Sequence, residues 1–175
     1  STHPSGAGRT ALLLLSLALV LGLSPAPSAA APVGRDAAGR VVDTDTLRGR
    51  AVLVFEWSTR CAVCMDKWGE LRANARGWTG RPFTLVAVNV DDEAVWRDYE
   101  RAVALVQPHA ANIVSLHGQA RPQRLPVTTV IDPKGQVVSR VEGRVPAALW
   151  DELADLLPSR LQAPRPGVTR CPAAA

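Results

Sequence analysis

Two cysteines three positions apart, Cys61-Ala-Val-Cys64, stand between an apolar β-rich run, Ala51-Val-Leu-Val-Phe55, and a segment with helical periodicity. A vicinal dithiol at a strand-to-helix junction constrains this chain more than any other feature. The strand must be buried, the helix must begin at the sulfurs, and the leading sulfur must face unpaired N–H groups of the first turn. Those amides and the helix dipole favour thiolate over thiol; thiols in such motifs have pKa values of roughly 3.5 to 7.5, against about 8.5 for a free cysteine. Arg60, immediately upstream, adds a positive charge that acts on Cys61 in the same direction. Redox chemistry is the favoured reading, beside half of a zinc site or two inert core thiols. A structural zinc site takes four ligands, usually with a second Cys or His pair at short spacing. The remaining candidates, His3, His109, His117 and Cys171, are not paired, so no metal centre is expected.

Arg9 precedes the apolar run Ala11 to Leu23, which is followed by Ser24-Pro-Ala-Pro-Ser-Ala-Ala-Ala31. Basic, apolar and small-residue zones in that order predict a signal peptide, with cleavage near Ala30, or an uncleaved membrane anchor, over residues 1–31. At thirteen residues the run falls short of the roughly 20 that span a bilayer. Membrane contact is therefore expected only through this segment, and only if it stays attached. No cysteine lies near the cleavage position, so a lipoprotein is not expected.

Export bears on the cysteines. In an oxidising compartment a structural disulfide normally links distant segments and stabilises more as its loop lengthens. The Cys61/Cys64 pair closes almost no loop, which points to a catalytic or carrier role. Cys171 lies in a tail, residues 161–175, whose composition predicts disorder; it is read as incidental or as a resolving or intermolecular thiol.

Residues 32–160 are expected to form one domain, and 47% hydrophobic content suffices for its core. The net charge of +4 arises from 18 arginines and 2 lysines interleaved with acids along the chain. Without a basic stripe or a nucleic-acid motif, nucleic-acid binding is not expected. Val33 to Val42 reads as a hairpin turning at Ala38-Gly39, and Asp43-Thr-Asp-Thr46 offers capping side chains. Ala51 to Trp57 is a buried strand, Cys61 to Arg76 a helix and Phe83 to Val90 a second strand. Asp91-Asp-Glu93 supplies acids to the start of the next helix, whose apolar stripe is Val95, Tyr99, Ala102, Val103 and Val106, with Trp96 at its flank as a packing residue. Val127 to Ile131, the turn Asp132-Pro-Lys-Gly135 and Gln136 to Glu142 read as a hairpin, and Pro146 opens a helix with Leu149, Trp150, Leu153, Leu156 and Leu157 on one face. This order predicts an α/β fold: a mixed central sheet flanked by helices on both faces, with an N-terminal hairpin.

Val54-Phe-Glu-Trp-Ser-Thr-Arg-Cys-Ala-Val-Cys64 together with Leu125-Pro-Val-Thr-Thr-Val-Ile-Asp-Pro-Lys-Gly135 resembles the thioredoxin superfamily, and within it the exported thiol-disulfide oxidoreductases of the TlpA, ResA and cytochrome c maturation type. The resemblance covers roughly Pro32 to Leu157. It implies a thioredoxin-like fold, a cis Pro126 beside the dithiol, and a Leu125 backbone that pairs with an incoming peptide. By residue type alone, Pro126 reads as a proline at the mouth of a strand, where its missing N–H is tolerated.

Four positions depart from the family pattern. Arg60 replaces the tryptophan before the first cysteine, although Trp57 matches another aromatic site of the motif. Lys67 and Gly69 stand where relatives often carry glutamate and proline. Phe55 occupies the position of thioredoxin's buried aspartate, leaving Glu56 as the one carboxylate inside the active strand. Glu56 is read as a proton relay from Cys64 or as a structural ion pair with an arginine or Lys67, because a buried carboxylate needs a partner.

The expected chemistry is attack by Cys61 on a client disulfide and resolution by Cys64. The resemblance implies a periplasmic reductant fed by a membrane thiol donor and serving apocytochrome c or another exported thiol protein; an oxidant is the reverse alternative. A Cu(I) carrier using both thiolates, and a binding module with an inert disulfide, are the other classes. No nucleotide, flavin or haem motif is present, so no cofactor is expected, and the domain is expected to act as a monomer.

Overall fold

A computed structural model describes residues 32–119 and 124–157. The proposed signal segment or anchor, His3, the tail and Cys171 lie outside the described residues. The elements are β1 (Pro32–Arg35), β2 (Val41–Asp43), a 3-10 helix (Thr44–Leu47), β3 (Ala51–Trp57), α1 (Ala62–Gly77), β4 (Phe83–Asn89), α2 (Glu93–Val106), β5 (Ile113–His117), β6 (Val127–Ile131), β7 (Val137–Glu142) and α3 (Leu149–Leu156). Among the described residues no helix is long and apolar enough to cross a membrane.

The sheet order is β2-β1-β5-β4-β3-β6-β7. β3, β4 and β5 run parallel, and β6 and β7 extend the sheet antiparallel from β3. β3 is central because its side chains are apolar on both faces, which only an interior strand can bury. The expected hairpins close by the expected chemistry. In the first, Asp36 Oδ1 accepts from the amides of Ala38 and Arg40, both at 2.9 Å, and Gly39 adopts φ 81°. In the second, Asp132 Oδ1 accepts from the amides of Lys134 and Gln136, and Gly135 adopts φ 86°.

The sheet is mixed as expected, but its helical cover is uneven. Phe55 and Trp57 of β3, Phe83 and Leu85 of β4 and Val130 of β6 pack against Cys64, Trp68 and Leu71 of α1 and Leu149 and Leu153 of α3. α2 joins the same face, with Tyr99 against Trp57 and Trp96 stacked on His117. Two successive right-handed crossovers stepping in one direction, β3 to β4 to β5, put their helices on one side. The opposite face buries Val52, Val54, Val86, Val88 and Leu116 beneath Val33, Val42 and Leu47, so its helical cover among the described residues is the 3-10 turn.

Two sequence readings change. β5 had no predicted counterpart, because Ile-Val-Ser-Leu-His is short and its Ser and His are useful only to a neighbour. Ser115 donates to Glu100 Oε1 at 2.8 Å, and His117 lies under Trp96. In α2 the buried residue is Trp96, at 1% exposure, whereas Ala102 is exposed and Val106 is 83% exposed. The helix outruns the sheet, so the far end of the expected stripe meets solvent.

Candidate active site

The seven-residue strand β3 delivers the chain to the edge of the sheet at Trp57. The turn Ser58-Thr-Arg60 then reverses it into α1. Cys61 is the N-cap of α1 in extended conformation, and its Sγ accepts a hydrogen bond from the Cys64 amide at 3.2 Å. Cys61 and Cys64 form a disulfide, with their Cα atoms 5.2 Å apart. The two sulfurs have different surroundings: Cys64 is 0% exposed within the aromatic core, whereas Cys61 remains partly exposed at its margin. No acidic residue occupies the first turn of α1, so nothing there opposes a thiolate at Cys61.

Pro126 is preceded by a cis peptide bond from Leu125, as the resemblance implied. The antiparallel register sets Glu56 opposite Val127, which brings Pro126 beside the end of β3 and the root of the Cys61 turn. The Pro126 carbonyl accepts from the Gly143 amide at 2.7 Å, and Leu125 packs on the same core cluster as Cys61. Dithiol and proline thus meet through strand pairing across about 60 residues of sequence.

Trp57 is not at the mouth. It is 0% exposed and makes edge-to-face contacts with Trp68 and Tyr99, each at a 4.9 Å centroid distance. It forms the floor beneath the dithiol helix. Arg60 is exposed, and its guanidinium lies 3.9 Å from the equally exposed Asp92 carboxylate, so its charge is shared rather than dedicated to Cys61. Lys67 donates to Glu70 Oε2 at 2.7 Å, and the Trp150 indole donates to Glu70 Oε1. The pair lines a cleft of about 180 Å³ with Val63, Arg144 and Val145, next to the dithiol.

Glu56 alternates with Phe55 and Trp57 along β3 and therefore faces the other side of the sheet from Cys64. Its carboxylate lies 3.8 Å from Arg140 of β7. Of the two roles read for it, the arrangement is that of the ion pair, with an arginine. Replacing Glu56 with glutamine is expected to lower stability by about 1 kcal/mol or less, while the pH profile of disulfide exchange stays unchanged; a displaced profile would restore the relay.

The two histidines are engaged elsewhere: His109 pairs with Glu100 at 3.2 Å, and His117 bonds the Asp91 carbonyl at 2.7 Å. Neither joins a group of three metal-ligating side chains among the described residues.

The residue that sequence reasoning missed is Asp91. It reads as one of three acids opening a helix, yet it lies before the N-cap of α2 and turns its carboxylate back toward the active-site loop. It accepts from the Ser58 hydroxyl, the Thr59 amide at 2.7 Å, the Thr59 hydroxyl at 2.8 Å and Asn89 Nδ2 at 3.2 Å. Burial pushes the carboxyl up, but these hydrogen bonds, led by Ser58, outweigh it and hold the group below its ordinary 3.8. The only sequence signal was an acid directly after the β-rich run Phe83 to Val90, a position from which a side chain can reach the neighbouring loop.

A depressed pKa contributes stability that is fully present above the unfolded value and is lost as pH falls through the folded one. The stability gap between the wild type and Asp91→Ala is therefore expected to be widest near neutral pH and to narrow in acid below the ordinary carboxylate range. Urea titrations at a series of pH values check this; a gap independent of pH would mean that the carboxylate's charge is not involved.

Known structures share this frame. A secreted thiol-disulfide isomerase from Corynebacterium glutamicum superposes with a TM-score of 0.60 at 16% identity, over 73% of this chain and 84% of that one. A thiol:disulfide interchange protein of the thioredoxin family from Chlorobium tepidum gives 0.54 at 20% identity, over 75% and 98%. An exposed lipoprotein thioredoxin from Streptococcus pneumoniae gives 0.55 at 16%, over 72% and 96%. At these identities the likeness establishes the thioredoxin-like fold. No curated protein matches the chain. Residues 23–144 match the model of the AhpC/TSA family, and since that span is more than half of the 175 residues, the chain belongs to this family of the thioredoxin superfamily, with the Cys61/Cys64 pair of a thiol-disulfide oxidoreductase.

Proposed function

We propose that the protein is an extracytoplasmic reductant of client-protein disulfides, with an exported thiol protein such as apocytochrome c as the type of client and a membrane thiol protein as its electron donor. The observation that carries this reading is the inequality of the two sulfurs at the start of α1: Cys61 is partly exposed and N-capping, Cys64 fully buried. In the reduced protein the Cys61 thiolate attacks one sulfur of a client disulfide. A Cys61–client mixed disulfide forms, and the other client sulfur leaves as a thiolate and takes up a proton. Cys64, deprotonated, then attacks Cys61 Sγ, so the second client sulfur departs reduced and the Cys61–Cys64 disulfide forms. Two electrons pass to the client, and the donor must return two.

Leu125 offers backbone for strand-like pairing with the client beside Cys61. An extracytoplasmic location is supported by the basic, apolar and small-residue order of residues 9–31, and by relatives described as secreted or as an exposed lipoprotein. The reductant direction rests on the resemblance to the exported branch.

The test is the potential of the Cys61/Cys64 couple. The protein carrying Cys171→Ser is equilibrated in graded glutathione and dithiothreitol buffers and its free thiols are trapped. A value below about −220 mV supports a reductant that needs a donor, and one above about −150 mV makes it an oxidant.

A further inference from the structure

The Cys61 sulfur can draw on the helix only while it stays at the N-cap, and the loop that holds it there has little packing of its own. Ser58 is buried, but Thr59 is only partly so and Arg60 is exposed. The loop's internal bonds run through Ser58: its carbonyl accepts from the Cys61 amide at 3.1 Å, and its hydroxyl accepts from the Arg60 amide at 3.1 Å. That hydroxyl and both hydrogen-bond donors of Thr59, its amide and its hydroxyl, end on Asp91. Asp91 is in turn fixed from the sheet side. Its amide donates to Asn89 Oδ1 at 2.8 Å, its carbonyl meets His117 at 2.7 Å, and the preceding Val90 amide donates to the Trp57 carbonyl at 2.9 Å.

We propose that Asp91 is a positioning residue for the nucleophile: its carboxylate clamps the Ser58-Thr59 turn so that Cys61 Sγ stays at the head of α1, where the Cys64 amide and the helix dipole stabilise its thiolate. The proposal rests on Cys61 as the attacking thiol and needs no particular client, donor or redox direction.

Position and charge act on Cys61 in opposite senses, which makes the idea testable. As a bare negative charge near the sulfur, Asp91 disfavours a thiolate, so removing it should lower the Cys61 pKa. As a clamp, it supports the thiolate, and removing it should raise that pKa. The other charges near the loop, Arg60 and Asp92 on the rim and Asp66 and Lys67 on the second turn of α1, are left in place.

The experiment uses the full chain carrying Cys64→Ser and Cys171→Ser, so that Cys61 is the one thiol, and follows its alkylation rate by iodoacetamide against pH. The parent midpoint is expected below the free-cysteine value. Adding Asp91→Ala, with the fold verified by circular dichroism, is expected to move the midpoint up by about one unit toward 8.5, roughly a tenfold loss of thiolate at fixed low pH. An unchanged or lowered midpoint in the folded variant overturns the proposal, as does a parent midpoint already at about 8.5. Should Asp91→Ala fail to fold, Ser58→Ala removes one donor while leaving the carboxylate in place. A smaller upward shift is then expected, and no upward shift overturns the clamp.

Discussion

Cys61→Ser is expected to reduce disulfide exchange to its uncatalysed background, a loss of at least about three orders of magnitude, because the group removed forms the covalent bond to the client. Cys64→Ser should behave differently. The Cys61 thiolate still attacks, and the Cys64 backbone amide still donates to its sulfur, but nothing resolves the adduct. In a Cys171→Ser background, a model disulfide protein should therefore accumulate as a stable mixed disulfide with Cys64→Ser, released by dithiothreitol, and no such species should form with Cys61→Ser. The assignment follows from exposure: an approaching client disulfide reaches partly exposed Cys61, whereas Cys64 has no accessible surface. Mass spectrometry after quenching in acid reads out both. Trapping through Cys64 in the Cys61→Ser protein would reverse the roles.

Trp57→Ala is expected to remove about 3 to 5 kcal/mol of stability, the range for deleting a buried large aromatic. That is a large part of the 5 to 15 kcal/mol available to a typical domain. The indole lies wholly inside the cluster that links β3, α1 and α2, and its edge-to-face contacts with Trp68 and Tyr99 add to the area it buries. Trp57→Phe keeps an aromatic in place and removes a buried indole N–H that has no hydrogen-bond partner among the described residues, so its cost is expected to be well below that of Trp57→Ala. Urea midpoints of both variants, compared with the rate of Cys61 alkylation, separate a floor residue from a mouth residue. A loss under about 1 kcal/mol for Trp57→Ala, together with altered client reaction, would place Trp57 at the mouth instead.

Much of this protein is legible in its sequence because it is encoded locally. The dithiol after a strand that is apolar but for Glu56, the glycine turns at Gly39 and Gly135, and the apolar face of α3 each depend on residues a few positions apart. The cis bond before Pro126 was reached through family resemblance, since the residue type permits it without requiring it.

The rest was decided by which segments the sheet brings side by side. β5 exists because β4 offers it a parallel edge and α2 supplies partners for Ser115 and His117. Glu56 could serve the dithiol or an ion pair on composition alone; strand parity sent it to the face opposite Cys64, within reach of Arg140. Asp91 looked like one more acid at a helix start until the pairing of β3 with β4 set it against the Ser58-Thr59 turn, 32 residues earlier in the chain. The sequence by itself determined the reactive pair and the elements that frame it, since propensity, capping and turn chemistry act over one or two turns of chain. Only the tertiary structure decided which carboxylate faces the loop and which side the helices cover, because burial and hydrogen-bond partners at those positions are contributed by residues distant in sequence.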